Sequence, residues 1–178
     1  MQEELIARVP EFVSIKDQKM RQKAIACWLE AMAIGGWEID DLEKIPFTLL
    51  IPNTRISFLA HTRAVTQVAL RSAQVLQDFY AREYTIDWDA LTAGALLHDI
   101  GKLLEYERVK GEVVKSESGK LLRHPFSGAG LAVKNELPDK VVHIVATHAK
   151  EGDSGYRCPE AVIVHHADFM NFEPLKSL

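Results

Sequence analysis

Apolar residues recur at helical spacing along most of the chain. Residues 16–34 carry such a stripe, and Gly35-Gly36 stops it. Pro46 and Pro52 interrupt residues 38–55, which predicts short helical turns joined by loop. A long helix is expected from about Ile56 to Ala81, with Val65, Val68, Val75, Leu76 and Phe79 on its inner stripe. Asp87 is placed to cap a helix running through Trp88, Leu91, Ala95 and Leu97. Pro125 suits the first turn of a helix toward Leu137, and Pro138-Asp139 opens another through Val141, Ile144 and Val145. Glu151 to Pro159, rich in glycine and polar residues, reads as loop, and residues 160–169 as a last helix.

The pattern changes between residues 105 and 123. Val109, Val113 and Val114 precede the Ser116–Gly119 stretch, and Leu121-Leu122 follow it. A β-hairpin or flap near residues 106–122 fits this spacing, and so does a disordered surface loop. The fold class is all-α, a helical bundle with that one excursion. No repeat, low-complexity tract or linker divides it, so a single domain over residues 1–178 is expected. Residues 1–55 form an N-terminal helical extension packed on a core of residues 56–170.

Composition narrows the class without naming a function. The 47% hydrophobic and 26% charged content is that of a globular protein able to bury a core unaided. A net charge of −4 offers no global attraction to a nucleic-acid backbone, and no duplex partner is expected. A small phosphorylated ligand stays compatible, because bound metal ions can override a mildly acidic surface. Cys27 and Cys158 lie too far apart for a zinc-ribbon spacing and read as reduced thiols. Met1-Gln2-Glu3-Glu4 does not resemble a secretory signal, and no run approaches the roughly 20 apolar residues of a membrane span. The expectation is a cytoplasmic protein. Trp28, Trp37 and the N-terminal helices cover either the core or a partner, and the oligomeric state is open.

Histidine and aspartate placement carries the chemistry. His61 lies in line with Val65 and Val68, His98 with Leu91 and Ala95, His148 with Val141, Ile144 and Val145, and Asp168 with Ala161 and Val164. Each puts a polar group on a face that should enter the core, where it costs free energy unless satisfied. One such histidine is commonly a hydrogen-bonded core residue. Four inward polar residues on four helices are better explained by a shared metal centre, which helical bundles build from facing helices. His98-Asp99 sits at a helix end, where two adjacent side chains can both reach a site, and Gly101 is expected to let the backbone turn there.

His61, then His98-Asp99 within Leu96-Leu97-His98-Asp99-Ile100-Gly101-Lys102, then Asp168 resemble the H…HD…D signature of the HD superfamily of metal-dependent phosphohydrolases. The resemblance spans His61 to Asp168, and its HDIGK extension makes it specific. It implies a bundle of about five helices holding one or two divalent metals. Two further histidines, His124 and His148, fill the places found in two-metal, HDIG-type members. The implied metal ligands are therefore His61, His98, Asp99, His124, His148 and Asp168. Asp99 would bridge, with His61, His98 and Asp168 on one metal and His124 and His148 on the other. A surface cap beside Pro125 is the plain alternative for His124.

Such ligands suit one or two divalent transition metals, Fe, Mn, Ni, Co or Zn, as cofactors. The resemblance implies hydrolysis of a nucleotide or other small phosphomonoester or phosphodiester by a metal-bridging hydroxide. Asp99 and Lys102 are the candidate catalytic residues, Lys102 to position the phosphate and offset its charge. Arg63, Arg123, Lys150 and Arg157 are weaker candidates for substrate contact, and Glu151 for a proton donor or ion-pair partner. His143 is expected to be exposed. His165 reads as a packed, hydrogen-bonded residue or as one that orients a ligand, and His166 stays unassigned. The same six ligands also suit a di-iron oxygenase of this superfamily, or a binding module without catalysis.

Overall fold

The computed structural model describes residues 1–176. Helices α1 (Gln2–Arg8), α2 (Gln18–Gly35), α3 (Phe58–Tyr80), α4 (Trp88–Leu97) and α5 (Lys102–Glu105) lead to the strands β1 (Tyr106–Val109) and β2 (Glu112–Lys115). Helices α6 (Glu117–Leu121), α7 (His124–Lys134), α8 (Asp139–Thr147) and α9 (Pro159–Lys176) complete the order. Short 3-10 turns lie at Pro10–Ser14, Ile39–Glu43 and Lys150–Gly152. The architecture is a helical bundle with one small antiparallel hairpin, as the polarity pattern predicts. Among the described residues, no helix is long and apolar enough to cross a membrane.

Helix α4 is the axis of the bundle. Every residue from Ala90 to Leu97 is buried, as expected of a helix that is apolar all round. Asp87 caps it by accepting the Ala90 N–H at 3.0 Å. Ala90, Ala93, Leu96 and Leu97 join one apolar cluster with α2 and the N-terminal residues Leu5, Val9, Phe12 and Ile15. Leu91 and Ala95 join a second with α3 and α9. Trp28 and Trp37 are both core residues, their indole N–H groups donating to Leu96 O at 2.9 Å and Leu103 O at 2.8 Å. These bonds satisfy carbonyls near the helix ends that border the candidate site. Helix α2 begins at Asp17, which accepts two amide N–H groups, and ends at Gly36 in the left-handed region with φ 68°.

Three expectations need correction. The buried face of α3 follows the i+4 row His61, Val65, Ala69 and Ala73, whereas Val75 and Phe79 are 56% and 79% exposed. Small alanines hold the inner positions where α4 and α9 pack, and the larger side chains lie off that row. The hairpin turns at Lys110-Gly111, with φ of 52° and 89°, and pairs Tyr106 with Lys115 and Val109 with Glu112. The Ser116–Gly119 stretch instead starts α6, Ser116 Oγ accepting the Gly119 N–H at 2.9 Å. The last helix runs on past Phe169 to Lys176, with Pro174 inside it.

Candidate metal centre

All six proposed ligands converge. Asp99 lies at their middle, 1% exposed, just beyond the C-terminal end of α4. Its Oδ2 is 3.4 Å from His61 Nε2 and 3.4 Å from His98 Nε2. Its Oδ1 is 3.3 Å from His124 Nε2 and 3.7 Å from His148 Nε2. Asp168 Oδ1, from α9, lies 3.1 Å from His61 Nε2 and 4.0 Å from His98 Nε2. Two sets, His61–His98–Asp99 and Asp99–His124–His148, thus share one carboxylate.

The imidazoles are aimed. Nδ1 of His98 donates to Ala95 O at 2.7 Å and Nδ1 of His148 to Val145 O at 2.8 Å, each within its own helical segment. Nδ1 of His124 donates to Glu105 Oε2 at 3.0 Å. A carbonyl or carboxylate can only accept, so each contact places the proton on Nδ1 and leaves Nε2 a lone pair facing Asp99. Burial pushes His124 down to about 4, against the pull of Glu105, which keeps its ring neutral. Burial would raise Asp99, yet the Lys102 ammonium holds its carboxyl well below the usual range.

These residues fit divalent cations. His61 Nε2, His98 Nε2 and Asp99 Oδ1 are buried and lack any hydrogen-bond partner, which is costly in an apolar interior. Ligand atoms about 2.0–2.1 Å from an ion sit roughly 3 to 3.4 Å from one another, close to the spacings above.

Gly101 has a different role from the expected one. Its backbone is helical, φ −64° and ψ −15°, so no turn requires glycine. A Cβ there would stand 2.1 Å from His124 O and 2.7 Å from Gly128 N. The missing side chain is what lets the start of α7, carrying His124, close against the His98-Asp99 segment.

Lys102 is buried, and its Nζ donates to Asp99 Oδ2 at 2.6 Å and to Phe47 O at 2.7 Å. It also borders a cavity of about 400 Å³ that opens over Asp99, His124 and Asp168. Arg123, Lys150 and Glu151 line that cavity, with Arg123 Nε 3.4 Å from Glu151. Arg63 and Arg157 do not reach it. Arg63 pairs with Glu11 at 3.1 Å, and Arg157 braces the loop after His148 through Thr147 O at 2.7 Å and Ala149 O at 2.9 Å. His143 is half-buried rather than exposed, stacked on Tyr156 and accepting the Cys158 N–H at 3.2 Å. Nδ1 of His165 donates to His148 O at 2.6 Å, and His166 is exposed. Cys27 and Cys158 are free and buried.

Sequence reasoning missed Glu105, buried beside His124, and the cavity wall of Phe47, Phe169 and Phe172. The apolar run of α9 was a usable signal for Phe169 only.

A family model described as HD domain matches residues 58–170. The chain is 32% identical over 161 residues to the dihydroneopterin 2',3'-cyclic phosphate phosphodiesterase of Methanocaldococcus jannaschii, covering 86% of this chain and 63% of that protein. It is 31% identical over 113 residues to ribonuclease Y of Pseudothermotoga lettingae, covering 64% of this chain and 18% of that protein. The chain therefore spans less than two thirds of either relative's length. No solved structure gives a significant match. With its HD pair, four further inward-facing ligand candidates and this family match, the chain belongs to the HD domain family.

Proposed function

We propose that the chain is a metal-dependent phosphohydrolase acting on a small phosphoester that carries a flat ring. One observation carries the reading: each oxygen of buried Asp99 faces its own pair of imidazole Nε2 atoms. His61, His98, Asp99 and Asp168 would hold one divalent transition cation, and Asp99, His124 and His148 a second. Bound there, such ions lower the pKa of water and draw charge from phosphoryl oxygens. In this reading residues 56–170 are the metal-binding core and residues 1–55 an extension packed on it.

The protein groups position and balance charge. Lys102 stays protonated, since Asp99 outweighs the burial that would lower it. Two of its three N–H groups are committed to Asp99 and Phe47 O, which fixes the Asp99 carboxylate and leaves one donor for a phosphate oxygen. Arg123 and Lys115, ion-paired to Glu151 and Glu105, line the cavity together with Lys150 and supply positive charge there. Phe47, Phe169 and Phe172 give the cavity an aromatic lining suited to a ring. The two kinds of lining suit a phosphoester of a ring compound, and the similarity to the Methanocaldococcus phosphodiesterase makes a cyclic phosphodiester of a pterin or a nucleoside the first candidate.

The test is turnover by metal-stripped protein reloaded with Mn, Co, Ni or Fe. The panel holds 2',3'-cyclic phosphates of a pterin and of nucleosides, linear diesters and monoesters. Metal-dependent hydrolysis that favours cyclic diesters is expected. No turnover of any class by fully loaded protein, or oxygen consumption by the iron form, overturns the reading.

A further inference from the structure

The imidazoles around Asp99 are not all anchored alike. His98 and His148 are oriented by backbone carbonyls three residues earlier, so their anchors come with the local helical backbone. His124 has no such anchor, because it opens α7 and has no preceding helical turn to bond to. Glu105, only 4% exposed, takes that place from the end of α5. Its Oε2 accepts both the His124 backbone N–H at 2.7 Å and Nδ1–H at 3.0 Å.

Glu105 is itself held from the hairpin side. Its Oε1 lies 3.0 Å from Lys115 Nζ at the end of β2. Its backbone carbonyl accepts the Ser116 N–H at 2.9 Å. Gly119 of α6 lies so close that a Cβ there would meet Glu105 O at 2.3 Å.

We infer that Glu105 is a positioning residue that sets affinity for the second cation, the one between Asp99, His124 and His148, separately from the first. This rests on the two-cation reading above, not on the substrate. A carboxylate behind a ligating imidazole fixes its ring and raises its basicity, and losing such a partner commonly weakens metal binding by about 10–100-fold. The first cation's residues do not touch Glu105, so its affinity should hold. A purely structural cap on α7 would instead lower stability and leave both affinities alone.

The experiment is Mn²⁺ binding to metal-stripped full chain by calorimetry and equilibrium dialysis, with thermal melts in parallel. Wild type should take two ions. Glu105→Ala should keep one at wild-type affinity and bind the other about 10–100-fold more weakly. Glu105→Gln retains an oxygen for both N–H groups and should fall between them, and it serves where truncation costs folding. Two ions at wild-type affinity in both variants, or an equal loss of both ions, overturns the inference while sparing the two-cation reading. A single ion in wild type removes the second position and overturns both.

Discussion

Replacing Gly101 with alanine tests the packing that builds the centre. The added Cβ would lie 2.1 Å from His124 O, 2.6 Å from Ser127 Oγ and 2.7 Å from Gly128 N. Ser127 Oγ can rotate away, but the other two atoms are backbone. The start of α7 must therefore retreat by about an ångström to reach ordinary contact, which counts as overpacking and typically costs about 1–3 kcal/mol. The displaced residue is the one bearing His124, and metal sites tolerate only about 0.2 Å in ligand distance. Urea unfolding should thus show lower stability, and Mn²⁺ titration should show the His124–His148 ion weakened more than the His61–His98 ion. Wild-type stability together with wild-type affinity for both ions would refute the packing account. Lost stability with both ions weakened equally would refute the assignment of Gly101 to one side.

Other substitutions probe the buried charges. Lys102→Met leaves Asp99 buried without its ammonium partner, and breaking such a pair costs about 3–5 kcal/mol. The loss should be seen by urea unfolding in chelator and should shrink when Mn²⁺ is added, because cations replace the missing charge. Glu160 is buried, and its Oε1 accepts the Asp87 N–H at 2.8 Å. Burial would raise its carboxyl, but the Asp87 bond and the others around it take it below the ordinary 4.5. A depressed folded pKa adds stability that is present above the ordinary value and lost as pH falls through the folded one. Glu160→Gln should therefore flatten the acid-side loss of stability between pH 5 and pH 3, read by thermal melts across that window.

The longer helices and most of the convergent residues were readable in the chain from local signals, whereas His124 came only from the family resemblance. Asp87 marks a cap, Gly35-Gly36 a stop, and the polar His61, His98 and His148 interrupt apolar faces that the structure indeed buries. What escaped depends on distance in sequence. Glu105 looks like any acid after a lysine-led turn, and only its meeting with His124, 19 residues on, gives it a role. Phe47, Phe169 and Phe172 form one wall although more than a hundred residues separate the first from the others. Ser116–Gly119 has turn-like composition but caps a short helix, while the true turn uses a lysine in the left-handed region at Lys110. Gly101 shows a subtler limit, since its identity reflects the approach of another segment rather than its own backbone angles.

The central claim is that Asp99 bridges two cation positions. Anomalous diffraction from Mn²⁺-loaded crystals tests it directly. Two peaks a few ångströms apart are expected, one among His61, His98 and Asp168, the other between His124 and His148, with one oxygen of Asp99 on each. A single peak under saturating Mn²⁺, or two peaks that do not share Asp99, would contradict the account.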